Sequence, residues 1–133
     1  MNKPLACLAF AIALAALIPP HHSGAADIDP LERGRIHSLL NALERSGFAF
    51  IRNGASYTAR EARAHLKMKL DRAGGRVKTA EQFIDYCATR SSSTGRPYLV
   101  RLPDGSTVEA GKWLRTRLAE IDVKNTDGAE KAP

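Results

Sequence analysis

The sequence predicts a single small α+β domain of about four helices with a short antiparallel sheet of about three strands. Apolar residues recur at helical spacing in four segments, and short runs of β-forming residues bounded by turn signals lie between them. Four helices combined with a hairpin late in the chain indicate an α+β arrangement. The chain has 133 residues, which is enough for a targeting segment and one domain but hardly for two domains. We expect the domain at residues 27–122.

The N-terminal residues 1–26 have the pattern of a cleavable secretory signal peptide. Lys3 precedes an uncharged apolar run over residues 5–18, which is shorter than the about 20 residues needed to span a bilayer. Small residues before Asp27 suit a signal peptidase, so we expect cleavage there, with cleavage after Ala25 as the alternative. The pattern predicts an exported protein without a transmembrane segment in its mature form, and a short membrane anchor is the other interpretation.

The first helix is expected to begin at Pro30 and to end near Gly47. Asp29 is a suitable N-cap, proline favours the first helical position, and Glu32 stands where a capping box has its acid. Glycine at position 47 is suited to the left-handed conformation that ends many helices. The apolar stripe of this helix is Ile36, Leu39, Leu40 and Leu43.

Residues 48–52 are expected to form a short strand that ends in an Asn-Gly turn. Thr58 and Glu61 then form a capping box, which opens a second helix over residues 59–72. The inward face of this helix is expected to be Ala59, Ala62, Leu66 and Leu70.

A third helix is expected over residues 79–89, because Thr79 and Gln82 repeat the capping signature. Its apolar face includes Cys87, so the thiol is expected to be buried and unreactive. Cys7 belongs to the signal peptide, which leaves one mature cysteine and excludes an intramolecular disulfide.

The last part of the domain is expected to contain a hairpin and a helix. Residues 97–102 form the first strand, a Pro-Asp-Gly turn follows, and a short partner strand lies around residues 107–108. A final helix is expected over residues 110–121. Residues 123–133 are polar and are predicted to form a disordered tail.

Glu61 and His65 are the pair with the clearest catalytic potential. They are four residues apart on a predicted helix, so their side chains share one face. A carboxylate can orient an imidazole for general acid–base chemistry, but the same spacing also gives an ordinary helix ion pair. The serine run at residues 91–95 lacks the glycine-framed elbow of hydrolases and is interpreted as a loop. No paired metal ligands occur, so neither a metal site nor a cofactor is predicted.

Basic residues are concentrated between positions 52 and 78, where there are eight of them against two acids. Arg60, Arg63 and Lys67 gather along one flank of the predicted second helix, and Glu61, His65 and Arg72 along the other. Such a cluster attracts phosphates and carboxylates, although a solvated basic face is the alternative interpretation. The candidate ligand-binding residues are Arg52, Asn53, Tyr57, Arg60, Glu61, Arg63, His65 and Lys67.

Several short motifs in this chain occur together in a known family. They are Phe50-Ile51-Arg52-Asn53-Gly54, Tyr57, Glu61-Ala62, His65-Leu66, Lys69, Thr79-Ala80-Glu81-Gln82-Phe83-Ile84, Ser91-Ser92 to Gly95 with Pro97-Tyr98, and Trp113-Leu114. In their order and spacing, over about residues 31–120, the chain resembles the YfeK-like family of small periplasmic bacterial proteins. Thr94 stands where serine is expected. The resemblance implies a periplasmic location and a Gram-negative source, and it transfers no activity, because the family is one of unknown function.

Two functional hypotheses follow from the sequence. The first is an exported, non-enzymatic binding or accessory module that contacts an anionic envelope component, which could be a lipid headgroup, lipopolysaccharide or peptidoglycan. The second is a small periplasmic hydrolase or transferase that uses Glu61 and His65. Nucleic acid is not the expected partner, because the signal peptide directs the protein away from it. The sequence gives no indication of the oligomeric state.

Overall fold

A computed structural model describes residues 28–131, so the predicted signal peptide lies outside the described residues. Within that range the helices are α1 (Pro30–Ser46), α2 (Ala59–Ala73), α3 (Ala80–Phe83) and α4 (Ala110–Glu130). The strands are β1 (Ala49–Arg52), β2 (Ala55–Tyr57), β3 (Leu99–Arg101) and β4 (Thr107–Glu109). A 3₁₀ turn (Gly74–Arg76) follows α2, and a π-helix (Ile84–Ala88) continues α3. The α+β class predicted from the sequence is confirmed.

The four strands form one antiparallel sheet in the order β2-β1-β3-β4. Phe50 lies opposite Tyr57 on one side and opposite Val100 on the other, and Val108 continues the row. Because side chains alternate across a strand, these residues point to one face of the sheet. Phe50 and Val100 are buried there in the core that the helices cover.

The sheet has one strand more than the sequence predicts. The Asn-Gly turn was expected to end β1, and it also reverses the chain into β2. Asn53 and Gly54 both have positive φ angles, 51° and 82°, as a tight hairpin turn requires. Alanine and serine are weak strand formers, so β2 has no propensity signal of its own and depends on pairing with β1.

The core contains the apolar stripe predicted for α1. Ile36, Leu39, Leu40 and Leu43 are all buried, and α1 packs against both α2 and α4. The predicted start and end of α1 are also confirmed. Asp29 accepts a hydrogen bond from the Leu31 backbone N–H, and Gly47 has the left-handed conformation.

Glu32 has a different role from the one predicted. Its carboxylate does not close a capping box on α1 but accepts a 2.7 Å hydrogen bond from the Ala80 backbone N–H at the start of α3. The other carboxylate oxygen lies 2.7 Å from Arg35, which also contacts Asp122 of α4 at 2.6 and 2.9 Å. These bonds link α1 to two other helices. The carboxylates beside Arg35 hold the pKa of its guanidinium well above the usual range.

The predicted third helix changes geometry along its length. It is α-helical only to Phe83 and then widens into the π-helix, where the Thr89 hydroxyl donates a 2.8 Å hydrogen bond to the Ile84 carbonyl. Cys87 lies in this part and is only 1% exposed, so its predicted burial is confirmed.

The final helix is longer than predicted. It continues to Glu130, and so the disordered tail expected from residue 123 is helical in the structure almost to its end. No proline interrupts residues 123–130, and Arg35 holds Asp122 just before this segment. The helix therefore continues through these residues, although their side chains are exposed. Among residues 28–131, no helix has both the length and the apolar character needed to cross a membrane.

Candidate functional site

A small cavity lies where α2 crosses the buried face of the sheet near β2. Its volume is about 280 Å³. The lining residues are Phe50, Arg52, Tyr57, Glu61, Ala62, Ala64 and His65. Four of the predicted site residues therefore meet at this cavity, and they come from β1, β2 and α2.

His65 is held in this site by a chain of hydrogen bonds. Lys69 Nζ lies 3.3 Å from the Tyr98 hydroxyl and 2.9 Å from the Arg90 carbonyl, and the same hydroxyl lies 3.1 Å from His65 Nε2. An ammonium group only donates, so the Tyr98 oxygen accepts from Lys69 and its own O–H is available to His65. The Tyr98 hydroxyl can thus bridge Lys69 and His65, and the contact with Nε2 holds the imidazole ring in place. Burial, followed by the nearby charge of Arg52, lowers the pKa of His65.

The Arg52 guanidinium lies over the imidazole of His65. Its Nη1 atom is 3.0 Å from Nδ1 and 3.2 Å from Nε2, and an atom this close to both ring nitrogens must lie above the ring plane. The guanidinium carbon is also 5.1 Å from the centre of the Tyr57 ring, and Nη2 is 3.4 Å from the Tyr57 hydroxyl. Aromatic faces therefore position Arg52, and no carboxylate within residues 28–131 forms an ion pair with it.

Glu61 lines the cavity but does not pair with His65. Its carboxylate accepts hydrogen bonds from the Thr58 backbone N–H at 2.8 Å and from the Thr58 hydroxyl at 2.9 Å, which completes the predicted capping box. These bonds lower the pKa of Glu61, the backbone N–H contributing most. In the described part of the chain no hydrogen bond joins Glu61 to His65, so the structure gives no support to the acid–base pair.

Asn53 links two loops and does not line the cavity. Its amide donates to the Ser91 hydroxyl at 3.3 Å, and its carbonyl accepts from the Thr94 hydroxyl at 2.6 Å. Ser91 is buried and also contacts Ser93 at 3.0 Å. The serine run therefore packs against the hairpin turn, which agrees with its interpretation as a loop.

The predicted basic flank of α2 is largely neutralised by carboxylates. Arg63 lies 3.1 Å and Arg60 3.7 Å from the carboxylate of Glu44 on α1, and Lys67 lies 2.9 Å from Asp71. The Arg60 side chain is 89% exposed, so its interaction with Glu44 is weak. This flank offers less free positive charge than the sequence suggests.

In the described part of the chain, the opposite flank of α2 and the 3₁₀ turn that follows it carry cations without carboxylate partners. Lys69, Arg72 and Arg76 line a groove of about 560 Å³ together with Tyr86 and Ser92. Within residues 28–131 none of these three cations forms an ion pair, and no hydrogen bond engages Arg72. We call this surface the cationic groove. In the same range no cluster of three or more His, Cys, Asp or Glu side chains could hold a metal ion.

Comparison with known proteins assigns the chain to a family. The model of a family of unknown function, DUF5329, matches residues 30–122, a range that includes both the cavity and the cationic groove. The chain belongs to this family. The uncharacterized protein YfeK of Salmonella typhimurium is a relative that is 45% identical over 74 residues, which cover 55% of this chain and 62% of that protein. The resemblance to the YfeK-like family is thus confirmed. No solved structure matches the chain.

Some residues of the candidate surfaces in this DUF5329 domain were not among the sequence-predicted candidates. Tyr98, Lys69 and Arg76 were left out, although the strand alternation that buries Val100 also turns Tyr98 inward. A buried tyrosine hydroxyl needs a polar partner, and that requirement is the signal that points to His65. Lys69 is one helical turn beyond His65, so the i,i+4 rule places it on the same side of α2.

Proposed function

We propose that this protein is a non-enzymatic binding or accessory module of the bacterial envelope, which binds an anionic component through the cationic groove. The observation that carries the proposal is the contrast between the two flanks of α2. The flank with Arg60, Arg63 and Lys67 has carboxylate neighbours, whereas Lys69 and Arg72 have none within residues 28–131.

The chemistry of the groove suits a phosphate or carboxylate that is attached to a larger body. Burial lowers the pKa of Lys69, because its ammonium group is removed from water without a compensating anion. An anion in the groove relieves this cost. Tyr86 is 60% exposed beside the cations and offers a flat apolar surface for the body of the ligand.

The same proposal includes export to the periplasm by residues 1–26. The pattern of charge, apolar run and small residues supports it. Intact-mass measurement of the protein from cell fractions tests it, because the proposal requires a mature N-terminus at Asp27, or at Ala26 as the second choice. Retention of residues 1–26 would overturn this part of the proposal.

Binding is tested by co-sedimentation of the protein with three anionic probes. They are vesicles of phosphatidylethanolamine and phosphatidylglycerol, purified lipopolysaccharide, and isolated peptidoglycan, and phosphatidylcholine vesicles are the neutral reference. A cation near an anionic surface contributes about 1 kcal/mol. Replacing both Arg72 and Arg76 with glutamine should therefore weaken binding roughly thirtyfold. Added salt should weaken the binding of the unmodified protein.

The matched control is the double replacement of Arg60 and Lys67 with glutamine. It removes the same formal charge from the other flank of α2, where carboxylates lie close to both cations. This control variant should weaken binding clearly less than the double replacement of Arg72 and Arg76. Equal losses in the two double variants would mean that only net charge matters and would overturn the assignment to the groove. The absence of any preference for anionic probes at low salt would overturn the function itself.

A further inference from the structure

The small cavity beside His65 differs in character from the cationic groove. Phe50 and Ala62 are both 1% exposed and form an apolar interior, and Ala64 lies on the exposed side of α2 at the cavity wall. The polar lining residues of the cavity are Arg52, Tyr57, Glu61 and His65, and Arg52 contacts both Tyr57 and His65. Pockets that bind small molecules commonly combine an apolar interior with a few polar groups that fix the orientation of the ligand.

Arg52 has donors to offer in this cavity. The contacts of its guanidinium are to the face of His65 and to a Tyr57 hydroxyl 3.4 Å away, which is longer than a typical hydrogen bond. Nη1 lies above the imidazole ring, whereas the lone pair of an imidazole nitrogen lies in the ring plane, so His65 is a poor hydrogen-bond acceptor for Arg52. A guanidinium has five N–H donors in a planar fork, which matches the two oxygens of a carboxylate.

The protein does not supply that carboxylate itself. Glu61 is the acidic residue that lines the cavity, and its carboxylate is already held by Thr58 at the start of α2. Arg52 therefore remains without a counter-ion within residues 28–131, although it lies against a partly buried histidine whose protonation it disfavours.

We propose that the cavity is a binding site for a small carboxylic acid with a compact aliphatic body. The carboxylate pairs with the Arg52 guanidinium, and the aliphatic group fills the space between Phe50 and Ala62. The volume of about 280 Å³ lies just below the usual range for sites that hold drug-sized ligands, which restricts the ligand to a small molecule.

This site is independent of the proposed function. Lys69, Arg72 and Arg76 do not line the cavity, and the hydrogen-bonded chain from Lys69 through Tyr98 to His65 lies between the two surfaces. Loss of the binding to an anionic envelope component described above would leave the carboxylate site unaffected. The two proposals therefore fail separately.

The test is an NMR titration of the folded protein with isovalerate and with isovaleramide. The two probes share one aliphatic body, and the amide lacks the negative charge. Isovalerate should shift the backbone amide signals of residues that line the cavity and should bind at least tenfold more tightly than isovaleramide, because a charged hydrogen-bonded pair contributes about 1.5–3 kcal/mol. Equal binding of the two probes, or no shifts at the cavity up to the solubility limit, would overturn the proposal.

Two variants and one control locate the site. Arg52→Gln should weaken isovalerate binding about tenfold or more. Arg101→Gln is the control, because Arg101 is exposed and, by strand alternation, lies on the opposite face of the same sheet. Ala64→Leu should also weaken isovalerate binding, because the larger side chain narrows the cavity. The variant should still fold, because position 64 is exposed and leucine is a good helix former. If Arg52→Gln does not fold, Ala64→Leu decides, and unchanged affinity in a folded Ala64→Leu variant would refute the site.

Discussion

The Tyr98 hydroxyl and His65 Nε2 lie 3.1 Å apart, and through this contact α2 is fixed to the segment that leads into β3. Tyr98 is central to the fold as well. Its backbone N–H donates to the Thr89 carbonyl at 3.0 Å, and its carbonyl accepts from the Ala110 N–H at 2.8 Å at the start of α4. Its ring packs 5.1 Å from that of Phe50. One residue thus connects the core to the polar groups of both candidate surfaces.

The Tyr98→Phe variant should lower the free energy of unfolding by about 1–2 kcal/mol. The ring packing is retained, but Lys69 loses one acceptor and His65 loses the hydrogen bond to Nε2. Urea denaturation measures the change. Tyr86→Phe is the control, because the Tyr86 ring is exposed, and it should leave stability within experimental error. Equal stability of Tyr98→Phe and the unmodified protein would contradict the hydrogen-bonded chain.

His65 should make stability depend on pH. Burial and the charges of Arg52 and Lys69 lower its pKa in the folded state below the usual 6.5, so the unfolded chain binds the proton more readily. The free energy of unfolding should therefore decrease as pH falls from 6.5 towards the lowered pKa and then level off with respect to this group. Urea denaturation over a pH series measures the slope.

The contribution of His65 to this slope is isolated by replacement. His65→Gln should reduce the slope below pH 6.5. A His65→Gln variant with the pH dependence of the unmodified protein would show that other groups account for it.

Asn53 should contribute to the stability of the fold in two separate ways, through its backbone conformation and through its side-chain hydrogen bonds. Asn53→Ala loses the hydrogen bonds to Ser91 and Thr94 and also places alanine, which adopts the left-handed conformation less readily than asparagine, at a φ of 51°, so it should cost about 2 kcal/mol or more. Asn53→Gly loses the same side-chain bonds but tolerates the conformation and should cost less. Thermal unfolding of both variants measures the two costs, and the reverse order would exclude this account of the turn.

Cys87 should react slowly with thiol reagents in the folded protein and rapidly after denaturation. Its side chain is inaccessible, and burial raises the pKa of its thiol, so little thiolate forms. Cys87→Ala should lower the free energy of unfolding by about 1 kcal/mol. Adding Thr116→Cys to the Cys87→Ala background provides an exposed thiol on α4 for comparison. Comparable labelling rates for the two native proteins would argue against a structural role.

The elements that could be predicted from the sequence are those with local signals. The start and end of α1 follow from Asp29 and Gly47, and the start of α2 follows from the capping box at Thr58. The strand β2 could not be predicted, because only pairing with β1 makes an Ala-Ser-Tyr segment extended. The π-helix was also missed, because apolar spacing does not distinguish its wider turn from the α-helix that precedes it.

The site could be predicted only in part, for a related reason. A helical wheel correctly separates the two flanks of α2, but it contains no information about Glu44, which reaches Arg60 and Arg63 from α1. Contacts between different helices determine which cations have a carboxylate partner. The cationic groove can therefore be recognised only in the folded protein. Arg52 and His65 were both identified as candidates, but their contact depends on how α2 crosses β1.

The order of the strands also affects how the chain folds during synthesis. The neighbour of β1 in the centre of the sheet is β3, and the whole of α2 and α3 lies between these two strands in the sequence. Until residues 99–101 emerge from the ribosome, β1 is paired with β2 alone, and an isolated two-stranded hairpin is marginally stable in water. The buried face around Phe50 is consequently completed late, and until then the partly folded chain leaves this apolar face open, a state that favours aggregation.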